Sequence, residues 1–262
     1  MPISASGSQP SSSTTASREF LGAQFDGRGI DEIFDWVMNR AASAPFCYVV
    51  TPNVDHMVKL NSTHPFVNFF SAAYDGAALR VCDSRVLSLL ARFRGVRLPI
   101  VPGSDLTAML VKHAVQSGDV VSIIGGDEAV LERLRNRKPH VHFVQHVPPM
   151  GLARNAPAML AAARFIADNP ARFCFLAVGA PQQEILAHLV AQEGRSTGLG
   201  LCIGASLDFL TGRQRRAPLW LQRARLEWLY RLLSNPRRFW RRYLVDGPRV
   251  FHLALRWKRA LR

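Results

Sequence analysis

Residues 173–193 read FCFLAVGAPQQEILAHLVAQE, and the rest of the chain repeats their pattern. Phe173 to Val178 is a short apolar run stopped by a glycine, which predicts a buried strand. Gly179-Ala180-Pro181 then opens a helix to about Gln192, with Pro181 in the first turn, where its missing N–H costs nothing. N–H groups at such a helix start suit a pyrophosphate, and Gln183 and Glu184 are placed to bond a ribose or base. The helix dipole explains Glu184 equally well. It does not explain the pair of glutamines.

Working outward, the same unit recurs. Strands are predicted at Cys47–Thr51, Leu79–Cys82, Val120–Ile124, Val141–Val144 and Leu199–Ile203. Between them lie helices from Val54, at Val86–Arg92, at Leu106–Gln116, from Asp127 and at Pro157–Asp168, with another at Asp31–Ala42 before the first strand. Short strands alternating with helices imply β-α-β units, hence an α/β fold with a Rossmann-like, mostly parallel sheet. Ligands of such sheets bind at the C-terminal ends of the strands. That rule selects the loops after Thr51, Cys82, Ile124 and Val178.

Three of these loops carry chemistry beside a plainer reading. Thr51-Pro52-Asn53 offers a hydroxyl and an amide for a sugar or phosphate, and reads equally as a turn and helix cap. Asp83 stands where a carboxylate can take a proton from a sugar hydroxyl, or can cap the next helix. Gly125-Gly126-Asp127 admits a phosphate or is a tight turn. The chain has no Asp-x-Asp and no His/Cys cluster, so a metal-independent chemistry with no cofactor is expected, arginines and helix N-termini supporting a leaving diphosphate. The absence of G-x-G-x-x-G after the first strand argues against a nicotinamide enzyme. Cys47, Cys82, Cys174 and Cys202 lie apart in apolar stretches and read as core residues of a reducing compartment.

The chain has 262 residues and a net charge of +14. From Thr211 onward stand 15 Lys/Arg against Glu227 and Asp246, while the 210 residues before it balance to within one charge. Three regions are expected: a disordered tail over 1–20, a catalytic domain over 21–212 and a basic helical appendage over 213–262. Four of the five tryptophans fall in the last region, and leucines and aromatics alternate with arginine at helical spacing, Pro236 separating two helices. That pattern suits an anionic membrane surface. A nucleic-acid-binding tail is the alternative, disfavoured by the helical leucine spacing, and a homo-oligomer would be another way to cover the tail. No run approaches the roughly 20 apolar residues of a spanning helix. A cytoplasmic protein held peripherally at the inner face of the cell membrane is the expectation.

TPN at 51–53, Asp83, VPGSDL at 101–106, GAPQQE at 179–184, IGASLDFLTG at 203–212, RAPLW at 216–220 and LEWLYRLLSNPRRFWRRYL at 226–244 stand in one order. Together they resemble the WecG/TagA/CpsF family of bacterial glycosyltransferases, from about Cys47 to Leu244. The resemblance implies an inverting, metal-independent transferase. It would move a sugar from UDP onto a monosaccharide carried on polyprenyl diphosphate, as in exopolysaccharide or cell-surface glycan biosynthesis. UDP-glucose and UDP-N-acetylmannosamine are the donor types implied. Position by position, Asp83 matches the general base, Thr51, Asn53 and Gln183 line the site, and Asp208 matches a nucleotide contact. Arg216, Arg223 and Arg231 are the arginines expected to meet the diphosphates. The chain departs from the family pattern at Ser84, where many members carry Gly, and at Ile100, where many carry Arg; Arg97 is the nearby substitute.

Overall fold

A computed structural model describes residues 17–63 and 66–258. It opens with an antiparallel hairpin, β1 (Arg18–Phe20) and β2 (Ala23–Phe25). Then follow α1 (Ile30–Met38), β3 (Cys47–Val50), α2 (Val54–Leu60), α3 (Val67–Asp75), β4 (Leu79–Arg80), α4 (Arg85–Phe93) and α5 (Gly103–His113). The second half runs through β5 (Val120–Gly125), α6 (Glu128–Arg137), β6 (His142–His146), α7 (Ala156–Asp168), β7 (Phe173–Ala177), α8 (Gln182–Glu193), β8 (Leu199–Cys202) and α9 (Ser206–Leu210). The appendage adds α10 (Leu219–Arg223), α11 (Glu227–Ser234), α12 (Pro236–Trp240), a π-helical turn at Arg241–Asp246 and α13 (Arg249–Arg256).

Six strands form one parallel sheet in the order β4-β3-β8-β7-β5-β6. Successive side chains on a strand point to opposite faces, so the strands feed two cores. Tyr48, Val50, Cys174 and Leu176 join one core with α2, α4, α7 and α8. Val49, Phe173 and Phe175 join the other with α1, α5 and α6. Helices on both faces explain why the strands read as continuous apolar runs rather than alternating ones. Cys82, Cys174 and Cys202 are buried with no disulfide, and burial pushes the Cys82 and Cys174 thiols up to about 12, as expected of inert core residues.

Both outer boundaries of the expected catalytic domain shift. Residues 1–16 of the expected tail lie outside the described residues, but Arg18–Phe20 is a paired strand, and Phe20 is fully buried against the Trp257 ring 5.1 Å away. The appendage is likewise no separate unit, because Val250 and Ala254 of α13 sit in the same core as Tyr48 and Leu176.

The topology opens a crevice at one place. Strands β3 and β8 are neighbours, yet α2 leaves β3 toward the first core and α9 leaves β8 toward the second. Chains departing on opposite faces leave a gap at the strand ends, the ligand position of open α/β sheets.

Candidate active site

The floor of that gap is tied across the two strands. Thr51 Oγ1 donates to the Cys202 carbonyl at 2.9 Å, and Gly103 packs so closely on Thr51 that an added Cβ would lie 3.2 Å from its hydroxyl. One strand over, the Asp83 N–H donates to the Pro52 carbonyl at 2.8 Å, and its Oδ1 accepts the Gly103 N–H at 3.1 Å. Ser84, not Asp83, caps α4: its hydroxyl accepts the Leu87 N–H at 3.2 Å, while the Asp83 carboxylate meets the first N–H of α5. Burial pushes that carboxyl up to about 7, against the opposing pull of the Gly103 N–H and the Arg231 charge.

A buried polar network lies beneath the loops after β3, β7 and β8. Gln183 Oε1 accepts from the Gly179 N–H at 3.2 Å and the Gly204 N–H at 3.0 Å, tying the loop after β7 to the loop after β8. Gly179 has a φ of +80°, a conformation glycine adopts without strain. The amide of Gln183 donates to Glu184 Oε1 at 2.8 Å, and that oxygen also faces His56 Nε2 at 3.2 Å. Asn53 caps α2, its Oδ1 accepting the Asp55 N–H at 3.0 Å.

This network engages two of the expected site residues. Glu184 is fully buried and braces α8 against α2 through His56. The Gly179 N–H donates to Gln183, which holds the two loops in register.

The appendage closes the mouth of the gap. Arg231 of α11 lies with its guanidinium 4.8 Å from the Phe209 ring centroid and acts electrostatically on Asp83. Arg242, in the π-helical turn, approaches Asn53 Oδ1 at 3.4 Å and Asp55 Oδ2 at 3.9 Å. Lys59 donates to Asp55 Oδ2 at 2.8 Å and to the Ala180 carbonyl at 3.0 Å. Burial would raise the Asp55 carboxyl, but Arg242 and Lys59 outweigh it and hold the group below its usual range. Arg216 pairs with Asp105 of the VPGSDL run, and Arg213 pairs with Asp127, which caps α6 beyond Gly125-Gly126.

The family model of the glycosyl transferase WecG/TagA/CpsF family matches residues 18–262. The chain belongs to that family. In this glycosyltransferase, Thr51, Asn53 and Asp83 gather at the ends of β3 and β4, with Gly179 and Gln183 two strands away. Asp208 lies in α9 and accepts from Gln214 Nε2 at 3.2 Å. Two expected arginines stand apart from this group. Arg223 is exposed at the end of α10, and Arg97 is exposed after α4, its carbonyl taken by Arg18. Ile100 forms a parallel β-bridge with Cys82, next to Asp83. Among the described residues, no group of three His, Cys, Asp or Glu is arranged to hold a metal ion.

The sequence reading missed His56, Asp55, Lys59 and Arg242. His56 stands three residues after Asn53 and Lys59 four after Asp55, spacings at which helical side chains meet, and that was the available signal. Arg242 carried none, standing among fifteen basic residues of the tail.

Proposed function

We propose that this transferase moves a hexose from a UDP-sugar onto a monosaccharide held on polyprenyl diphosphate, with inversion, and that Asp83 is the general base. The acceptor hydroxyl gives its proton to Asp83 as its oxygen bonds to the anomeric carbon. The bond from that carbon to the UDP oxygen breaks on the opposite face, and UDP leaves with the electron pair. The observation that carries this reading is the Asp83 carboxylate itself: held by Gly103, freed from capping by Ser84, and raised to about 7, where a base works best near neutral pH.

The spacing supports it. Asp83 follows β4 and Gly179 follows β7, three strands apart, or roughly 14 Å at about 4.8 Å per strand. That span suits a sugar diphosphate lying across the strand ends. Arg231, Arg242 and Lys59 at the mouth supply the positive charge that a leaving diphosphate needs.

The tail supports a lipid-borne acceptor. Leu219, Trp220, Leu233, Trp240, Leu244, Phe251 and Leu255 are exposed on α10 to α13 and the turn between them, amid exposed Arg223, Arg237, Arg241 and Arg249. Apolar side chains mixed with arginine suit an anionic bilayer interface. Among the described residues no helix is long and apolar enough to cross a membrane. Exposed leucines serve a bilayer better than they serve a nucleic acid.

The test is a panel of UDP-glucose, UDP-N-acetylmannosamine and its uronic acid against synthetic polyprenyl diphosphate monosaccharides, followed by Asp83→Asn with the active pair. The variant should lose on the order of 10²–10⁴-fold in kcat while still binding UDP. The wild-type rate should rise with pH through about 7 as the base ionises. Near-normal turnover by Asp83→Asn rules the base out.

A further inference from the structure

The reaction above leaves one carboxylate of the appendage without a role. Glu227 opens α11, and Arg231 stands one turn later, at the spacing where helical side chains meet. Arg231 Nε lies 3.8 Å from Glu227 Oε1, and each side chain is only 29% exposed. The guanidinium also lies 4.8 Å from the ring centroid of Phe209 on α9, a helix that packs on α5. The first N–H of α5, that of Gly103, is the one that meets Asp83 Oδ1. One arginine is thus set between two carboxylates, Glu227 on its own helix and Asp83 at the end of β4, and both Arg231 and Glu227 act electrostatically on Asp83.

The other groups around Asp83 are already committed. Arg216 pairs with Asp105, two residues along α5 from Gly103. His56 on α2 faces Glu184, and burial keeps the adjoining Cys82 thiol neutral. Burial favours the protonated form of Asp83; the Gly103 N–H and Arg231 oppose it, Glu227 supports it and His56 opposes it. Arg231 is therefore the cation with two carboxylates to choose between. Were it to move onto Asp83, the guanidinium would occupy the carboxylate lone pairs and hold the group ionised, and a carboxylate so paired accepts a proton poorly. Glu227 works against that in two ways. With the Phe209 ring it holds the guanidinium in place, and its own charge disfavours a second negative charge nearby.

We propose that Glu227 is a positioning residue that holds the Arg231 guanidinium beside Asp83 and keeps it from pairing with that carboxylate before the substrates bind. Arg231 then stays available to an incoming diphosphate, while Asp83 keeps its lone pairs for the acceptor proton. The proposal rests on the reading of Asp83 as the base.

The experiment compares the parent, Glu227→Gln, Arg231→Gln and the double variant, each made with and without Asp83→Asn. The difference in melting between each protein and its Asp83→Asn counterpart, followed from about pH 4 to 9, reports the midpoint at which Asp83 ionises without reference to turnover. The pH profile of kcat is measured on the proteins that keep Asp83, with the donor and acceptor pair chosen by the panel. Glu227→Gln should lower both midpoints from about 7 by roughly one pH unit or more. In the Arg231→Gln background the same substitution should lower them by less than about 0.3 pH unit, because no guanidinium is left to move. Equal shifts in the two backgrounds overturn the proposal, since Glu227 would then act on Asp83 by its charge alone. A midpoint unchanged by Glu227→Gln overturns it too. Should Asp83→Asn prove active, the base assignment fails, while the melting differences still show whether Glu227 governs Arg231.

Discussion

Two regions of this transferase break the usual rule of apolar inside and polar outside, and they break it in opposite directions. Beneath the strand ends, Thr51, His56, Gln183 and Glu184 are buried polar side chains, His56 and Glu184 meeting at 3.2 Å. Along the appendage, Leu233 is 73% exposed and Leu255 75% exposed, with tryptophans beside them. The first region spends stability on rigidity, since each buried group is tolerable only while its partners stay in place. The second exposes surface that water disfavours and that another phase would cover. A rigid floor and an adhesive rim would serve the proposed reaction, in which one substrate is dissolved and the other is held in a bilayer.

The widest contrast should appear in lipid binding. The triple variant Trp220→Ser/Leu233→Ser/Leu255→Ser removes about 1–2 kcal/mol of apolar contact per site, so its affinity for phosphatidylglycerol vesicles should fall on the order of 100-fold or more, with melting nearly unchanged. Sedimentation with vesicles measures it. Unaltered binding would show that the rim does not adhere to lipid, and a changed oligomeric state would show that a second copy covers it instead.

The floor should respond in the opposite way. Gln183→Leu leaves the Gly179 and Gly204 N–H groups and the Glu184 carboxylate without their partner. About 3 kcal/mol of stability should be lost, roughly 6–10 °C in Tm, with vesicle binding intact. A melting point equal to the parent's would mean that the two loops are held by something other than this side chain.

These two regions were unequally legible. The sheet could be read from the alternation of apolar runs and helices, because strands buried on both faces leave nothing else for runs such as VVSII and FCFLA to be. Asp83 could be placed at a strand end, but whether it or Ser84 capped α4 depended on which oxygen reached Leu87. Glu184 was read as a ligand contact, because its partner His56 lies 128 residues away and only the packing of α8 on α2 brings them together. The hairpin at 18–25 was lost in a Ser/Thr-rich start, its strands being three residues long. Among so many arginines, Arg242 became distinguishable only once the π-helical turn had aimed it at Asp55.

A smaller effect tests the burial of Asp83. Asp83 titrates near 7 when folded and near the ordinary 3.8 when unfolded. The folded state therefore binds the proton more tightly, and stability falls as pH rises from about 4 through 7. Asp83→Asn removes that loss. The variant should melt like the parent at pH 4 and be more stable at pH 8 by on the order of 2 kcal/mol, less than the full shift implies because Asp83 keeps some contact with water. Parallel pH–stability curves for the two proteins would show that the carboxyl is not strained by its burial.

The finest test lies on one helix that belongs to both regions. On α13, Val250 and Ala254 point into the core, while Phe251 and Leu255, one position along, point outward. Val250→Ala removes two methyl groups from a fully buried position and should cost about 1–3 kcal/mol without affecting vesicle binding. Leu255→Ser should change stability by about 0.5 kcal/mol or less, yet weaken vesicle binding severalfold. The two substitutions thus reverse their order between a melting curve and a sedimentation assay. If Leu255→Ser destabilises as much as Val250→Ala, the outer stripe of α13 is also structural, and the division between floor and rim does not run through this helix.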